Sequence, residues 1–225
     1  MKKLFLIIFL ILLSVNSYAG NLYVSSVDGN NSRNCTTDDT NATTGHCLSI
    51  QRGVDLATAG DTVIVKDGTY TGNNDGTPNN GTYETDEDIL VKFDNKNGSA
   101  GNWITVKSQN KWGAIIDGVS NTQGCIPYHT ADCIVYGFYI KQNSSYIKIQ
   151  DFEIKNIQTD GIFTNNKIDG TTSNDRQAHH LVFSGNKIHN IGDIARAAGS
   201  YNVGGGHSAI YVDGAFNVTI DSNII

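Results

Sequence analysis

The 225-residue chain carries 22 acidic against 16 basic side chains, a net charge of −6, and no linker-like stretch that would divide it into two domains. That acidic balance excludes nucleic acid as a partner, because nothing neutralises the phosphates. It leaves sugars open.

The first element is a leader. Lys2-Lys3, an unbroken apolar run from Leu4 to Leu13 and the small-x-small exit Ser17-Tyr-Ala19 are expected to form a secretory signal peptide over 1–19. A spanning helix would need about twenty apolar residues, and no other run is long enough to cross a membrane. Removing Lys2 and Lys3 takes the net charge from −6 to −8. What remains, 20–225, reads as one exported, elongated domain. Its four cysteines are Cys35, Cys47, Cys125 and Cys133, and an even number in an exported chain points to disulfides. Of three possible connectivities, the sequence-local one, 35 with 47 and 125 with 133, is the simplest. Metal binding by these thiols is the poorer reading, since there is no C-x-x-C pair and His46 stands alone beside Cys47.

After a strand at Leu22 to Ser25, the stretch to Thr44 is a polar loop rich in Asn, Thr, Ser, Asp and Gly. Ser49 to Ala57 predicts a short amphipathic helix, with Ile50, Val54 and Ala57 on one face, Ser49 as N-cap and Gly60 past the end. Thr62 to Lys66 predicts a strand. A helix placed there would cover backbone edges that otherwise recruit another chain. Gly72 to Asp88 is a further polar loop, and Ser120 to Val135 carries the second cysteine pair.

Farther on the chain repeats itself. Tyr146-Ile-Lys-Ile-Gln-Asp-Phe-Glu-Ile-Lys-Asn-Ile157 returns loosely as His180-Leu-Val-Phe-Ser-Gly-Asn-Lys-Ile-His-Asn-Ile191, and in part as Asn217-Val-Thr-Ile-Asp-Ser-Asn-Ile-Ile225. The offsets, 34 and 37 residues, align Ile147 with Leu181 and Val218, Ile149 with Phe183 and Ile220, and Ile154 with Ile188 and Ile225. Each unit is two short alternating strands joined at a polar or Gly step, followed by a third apolar stretch, Asp160 to Thr164 or Ser208 to Val212. Strands this short cannot fold alone, so the repeats must stack, each burying its neighbour's apolar column. Hairpins of an antiparallel sandwich would not align columns at such offsets with Asn186 and Asn223 in register. The fold expected is all-β, a right-handed parallel β-helix with an N-terminal capping helix. Ile225 falls inside a repeat, so either the chain is a fragment or a partner covers that end.

Ser49 to Ala57, followed by Ala59-Gly-Asp-Thr-Val-Ile-Val-Lys-Asp-Gly-Thr-Tyr70, resembles the N-terminal region of secreted right-handed parallel β-helix proteins of the pectate-lyase-like superfamily. Gly101 to Lys107 and Ala114 to Gly118 are similar to that superfamily's first full coils. The resemblance runs from about Leu22 to the last residue. It is specific for fold and uninformative for activity, since polysaccharide lyases, glycoside hydrolases and proteins of no known activity share the motif.

Two long insertions, Asn165 to His179 and Gly192 to His207, flank the sheet that holds Gly161 to Thr164 and Ala209 to Val212. Long loops on a rigid scaffold are where binding residues concentrate. If Ile162 and Ile210 point inward, Phe163 and Tyr211 point outward on adjacent turns, either as a floor for sugar rings or simply stacked on each other. An acidic glycan cut by β-elimination needs a base beside the uronate carboxylate and a cation to neutralise that carboxylate. The resemblance implies Lys or Arg as base and Ca²⁺ held by Asp, Glu or Asn. Arg176, Arg196, His179, His207 and Lys167 are the candidates for base or carboxylate partner, and Arg196 and His207 are singled out as catalytic. Asp160, Asp175, Asp193 and Asp213 are the candidate oxygen ligands for Ca²⁺, with Asp160 and Asp213 preferred. Phe163, Tyr211 and Arg176 are assigned to substrate binding. His207 follows Gly204-Gly-Gly206, which permits either close backbone approach to a ligand or a sharp turn. A hydrolase would need two flanking carboxylates, and the adjacent Asp pair of polygalacturonases is missing. The expected function is a lyase on an extracellular uronate-containing polysaccharide. The alternatives are a non-catalytic glycan-binding surface β-helix and the N-terminal part of a larger enzyme.

Overall fold

The computed structural model describes residues 19–71, 89–118, 134–165, 177–192 and 207–225. Residues 1–18 of the expected signal peptide, Cys125, Cys133, Lys167, Asp175, Arg176, Asp193 and Arg196 lie outside them.

Among the described residues every strand ladder is parallel, and from β2 onward successive strands visit three sheets in rotation. Sheet A holds β1 (Asn21–Val24), β2 (Thr62–Val65), β5 (Ile104–Ser108), β8 (Ser145–Gln150), β11 (His179–Ser184) and β14 (Phe216–Asp221). Sheet B holds β3 (Gly68–Tyr70), β6 (Ala114–Asp117), β9 (Glu153–Lys155) and β12 (Lys187–His189). Sheet C holds β4 (Ile89–Phe93), β7 (Tyr136–Lys141), β10 (Asp160–Asn165) and β13 (Ser208–Val212). This is a right-handed parallel β-helix, the hand that parallel crossovers take almost without exception.

The apolar columns meet as the repeat offsets require. Leu181 pairs with Ile147 and Val218, Phe183 with Ile149 and Ile220, and Ile188 with Ile154. Alternation makes the interior: Ile147, Ile149, Ile154, Leu181, Phe183 and Ile188 are fully buried, while the residues between them face out. The corner between sheets A and B turns on one residue in each of the last three coils. Asp151, Gly185 and Ser222 occupy it with φ of 63°, 68° and 55°, the left-handed conformation that reverses the chain in one step. Next to that corner, Asn186 is fully buried and answers three neighbours. Its amide accepts from the Phe152 N–H at 3.0 Å and donates to the Ile149 carbonyl at 3.1 Å and to Asn223 Oδ1 at 3.0 Å. The asparagine register therefore satisfies backbone that turns away from the sheets.

At the N-terminal end, helix α1 (Ile50–Leu56) starts at Ser49, whose hydroxyl accepts the Arg52 N–H at 3.2 Å. Ile50 and Val54 are buried against the first strands. Gln51 accepts the Lys92 N–H of β4 at 2.6 Å and donates to the same residue's carbonyl at 3.0 Å, as a neighbouring strand would. The free edge of β1 is met by the Cys35–Cys47 disulfide loop. Tyr23 N–H donates to the Cys35 carbonyl, while the Tyr23 carbonyl accepts from Cys47 and Ser25 N–H donates back to it. His46 is not alone, contrary to the sequence reading. It is buried with Nδ1 at 2.9 Å from Asp28 and Nε2 at 2.8 Å from Asp38, and Asp38 also holds Lys66 at 2.7 Å.

Candidate functional site

Sheet C departs from simple alternation, and that departure builds the site. A Cβ on Gly137 would come within 2.6 Å of the Gly161 carbonyl, and one on Gly161 within 2.7 Å of the Ala209 carbonyl. Both would also approach inward-pointing Ile154 and Ile188. Gly161 and Ile162 therefore both face the interior, which leaves Asp160 and Phe163 on the same outer side. The register sets Asp160 beside Tyr136 and Ser208, and Phe163 beside Tyr139 and Tyr211.

Phe163 and Tyr211 do occupy equivalent positions on adjacent coils, with ring centroids 5.4 Å apart and planes 14° from parallel. Tyr136 stacks on the opposite face of Phe163 at 5.0 Å and also 14°. Both faces of Phe163 are thus consumed, and the ring is 9% exposed. The assignment of Phe163 to sugar stacking gives way: it is the filling of an aromatic sandwich that supports its neighbours. Tyr211, on the last described strand of the sheet, is 46% exposed. Tyr139 joins the sandwich at 5.3 Å from Phe163, and its hydroxyl accepts from the Asn165 amide. Tyr136 and Tyr139 were missed in the sequence because Tyr136 lies outside the strict period-two pattern.

Asp160 is 2% exposed. Oδ1 accepts the Ser208 N–H at 2.9 Å, and burial pushes the carboxyl up to about 6 although that hydrogen bond pulls the other way. The next residue back along the partner strand is His207, whose imidazole rests against Gly192: a Cβ there would lie 3.2 Å from His207 Cβ and 3.5 Å from Cδ2. Among the described residues, His207 Nδ1 is buried without a hydrogen-bond partner. A desolvated carboxyl and an imidazole with an unused nitrogen thus stand at neighbouring positions at one end of the sheet C strands.

Asp213 is elsewhere. Its N–H bonds Thr164, one residue short of the far end of β10, with 2.9 Å to Oγ1. Asp160 and Asp213 are therefore about five residues apart along the strands, roughly 16 Å at the usual rise. They do not share one ion, and the paired Ca²⁺ assignment is corrected on that ground. Among the described residues no three His, Cys, Asp or Glu side chains gather to hold a metal. The same separation bears on hydrolysis, since paired glycosidase carboxylates stand about 5 to 9.5 Å apart. Of the other candidates, His179 lies on sheet A, its Nδ1 2.7 Å from Nδ1 of His180.

Two solved structures share this fold. A crystal structure of pectate lyase Pel9A is 20% identical, with a TM-score of 0.50, matching 77% of this chain and 34% of its own. A rhamnogalacturonan lyase is 20% identical, with a TM-score of 0.51, matching 76% of this chain and 36% of its own. The chain spans about a third of the length of each. No protein-family model and no curated protein matches it. The likeness establishes the fold, a parallel β-helix that both of these lyases share.

Proposed function

We propose, for a chain of this pectate-lyase-like fold, that it is an exported polysaccharide lyase unit acting on a uronate-containing glycan by β-elimination. The observation that carries the reading is the buried Asp160 carboxyl, pushed up to about 6, one strand from the buried Nδ1 of His207. In β-elimination a base takes the proton beside the uronate carboxylate, and the electron pair left behind forms a carbon–carbon double bond as the glycosidic oxygen departs. That oxygen takes up a proton. His207 is assigned the first transfer because its imidazole stands beside Asp160 at that end of the sheet. Asp160, which keeps part of its protons near neutral pH, is suited to the second. Arg196, singled out in the sequence as catalytic, and Arg176, assigned to substrate binding, are here proposed as the cations for the uronate carboxylate, with the Tyr211 ring against a bound sugar. Asp160 and Asp213 cannot hold one calcium ion together, so no step is assigned to a metal.

The test is ultraviolet absorbance of the unsaturated product while the purified chain is incubated with pectate, alginate and chondroitin, each with Ca²⁺ and with chelator. Product that disappears in His207→Ala supports the assignment, and the chelator arm decides whether calcium is needed. No product on any polymer from folded protein refutes it. Retained binding would then favour the second reading, a non-catalytic glycan-binding β-helix, which the Tyr211 ring alone would serve.

A further inference from the structure

The outer face of sheet A carries a second constellation that the proposed chemistry does not use. The register sets Lys148 beside Thr105 and Val182, and Lys107 beside Gln150, with their inward neighbours Val106, Ile147 and Ile149 fully buried. One step back lie rings from successive coils. Trp103 meets Tyr146 edge-on at 5.4 Å, Tyr146 stacks on His180 at 4.4 Å, and His179 stacks on Phe216 at 5.0 Å. Tyr146 and His180 hold φ of 54° and 53°, a left-handed conformation that bulky side chains rarely adopt.

The lysines decide what this face is for. Lys66, Lys92, Lys141, Lys155 and Lys187 each lie within 4 Å of a carboxylate. Lys96 turns inward to the Asp55 and Ala57 carbonyls. Among the described residues, Lys107, Lys148 and Lys111 make no ion pair. The first two stand on this face, roughly 8 Å apart by strand geometry. Lys111 follows β5 at the adjacent corner. Lys148 instead covers the Trp103 ring at 5.0 Å, and Lys111 the Trp112 ring at 5.1 Å. In a chain of net charge −6, cations left without carboxylate partners beside rings and hydroxyls make this stretch of the face locally basic, with Asp221 two strands beyond Gln150 on the Lys107 row. We propose that this outer face of sheet A is a second, non-catalytic binding surface for an anionic polysaccharide. Uronate carboxylates would pair with Lys107, Lys148 and Lys111, and the sugar chain would lie across the coils against Trp103, Tyr146 and Phe216. The mixture suits a sugar chain, which alternates apolar C–H faces with hydroxyls. The inference rests on the acidic-glycan reading above and extends it to a surface that would hold polymer while sheet C cuts it.

The experiment is affinity electrophoresis of the full chain through gels containing polygalacturonate, with dextran as the neutral control. The double variant Lys107→Gln/Lys148→Gln is compared with wild type and with His207→Ala, and unchanged thermal melting checks that each is folded. Retardation by polygalacturonate but not dextran, weakened about fivefold in the lysine variant as two exposed ion pairs would give, supports the proposal. His207→Ala should keep its retardation. Equal retardation of wild type and lysine variant overturns the second surface and leaves the lyase reading intact. Absence of retardation in wild type overturns it too, and whether unsaturated product still forms then decides the lyase reading separately. Tryptophan fluorescence of Trp103→Phe, read during polygalacturonate titration, provides the check on the rings. A titration signal unchanged from wild type would remove them from the surface.

Discussion

Replacing Asp160 by Asn tests the site through stability rather than turnover. The wild-type carboxyl sits 2% exposed, with one backbone N–H for company. Its shift from 3.8 to about 6 is near two units, so ionised Asp160 costs the folded state about 3 kcal/mol relative to the unfolded chain. The sign follows from the raised value. The neutral acid is tolerated, so the group's contribution is fully present below about pH 4 and is lost as pH rises through about 6. Asn keeps an oxygen to accept the Ser208 N–H and never ionises. Urea denaturation across the pH range should therefore find Asp160→Asn close to wild type in acid and up to about 3 kcal/mol more stable above about pH 7. The same variant should lose lyase activity, since Asn has no acidic proton to give the departing oxygen. A stability difference that stays flat with pH, or that favours wild type at high pH, would refute the desolvated carboxyl and the role built on it.

Asn186→Ala should cost about 2–5 kcal/mol in urea denaturation, because the Phe152 N–H and the Ile149 carbonyl would both be left buried and unpaired. Cys35→Ser/Cys47→Ser should lose about 3 kcal/mol for a bridge between residues 12 apart, read from the same denaturation. Hydrogen–deuterium exchange should localise the fraying to β1, whose edge that loop covers. The Asp38 carboxyl is held below its ordinary value by Lys66 and then by His46, and that of Asp28 by Ser25 and then by His46. Both contribute stability above the usual carboxylate range that fades as pH falls through their depressed values, so Asp38→Asn should flatten the acid limb of melting temperature against pH. Phe163→Ala should destabilise by about 3–5 kcal/mol. Tyr211→Ala should barely change melting but raise KM for polymer.

The fold was legible because stacking imposes one rule on every coil. Ile147, Leu181 and Val218 can share an interior column only if offsets of 34 and 37 residues bring the same pleat back to the same sheet. The asparagine register was visible in the same alignment, although its chemistry was not. Only the structure relates Asn186 to the Phe152 N–H, because no period marks a backbone donor that has left its sheet. Nor does sequence separation relate His46 to Asp28 and Asp38: the loop that joins them has no repeat, and its shape follows from the Cys35–Cys47 bridge and the β1 edge.

The site was half legible for a related reason. Alternation correctly sent Phe163 and Tyr211 outward together. It gave no means of telling which ring would be covered, because that depends on the neighbours across the sheet. Phe163 lies on a central strand with Tyr136 on one face and Tyr211 on the other, whereas Tyr211 lies on β13 at the end of the described sheet. Asp160 and Asp213 were grouped as lying around the same proposed groove, yet parallel register puts them at opposite ends of the strands. In a stacked coil, then, distance along a strand and position across the sheet are independent coordinates, and a site needs both. Asp160 and His207 agree in both, on adjacent strands at the same end, and for that reason the proposed proton transfers are placed there.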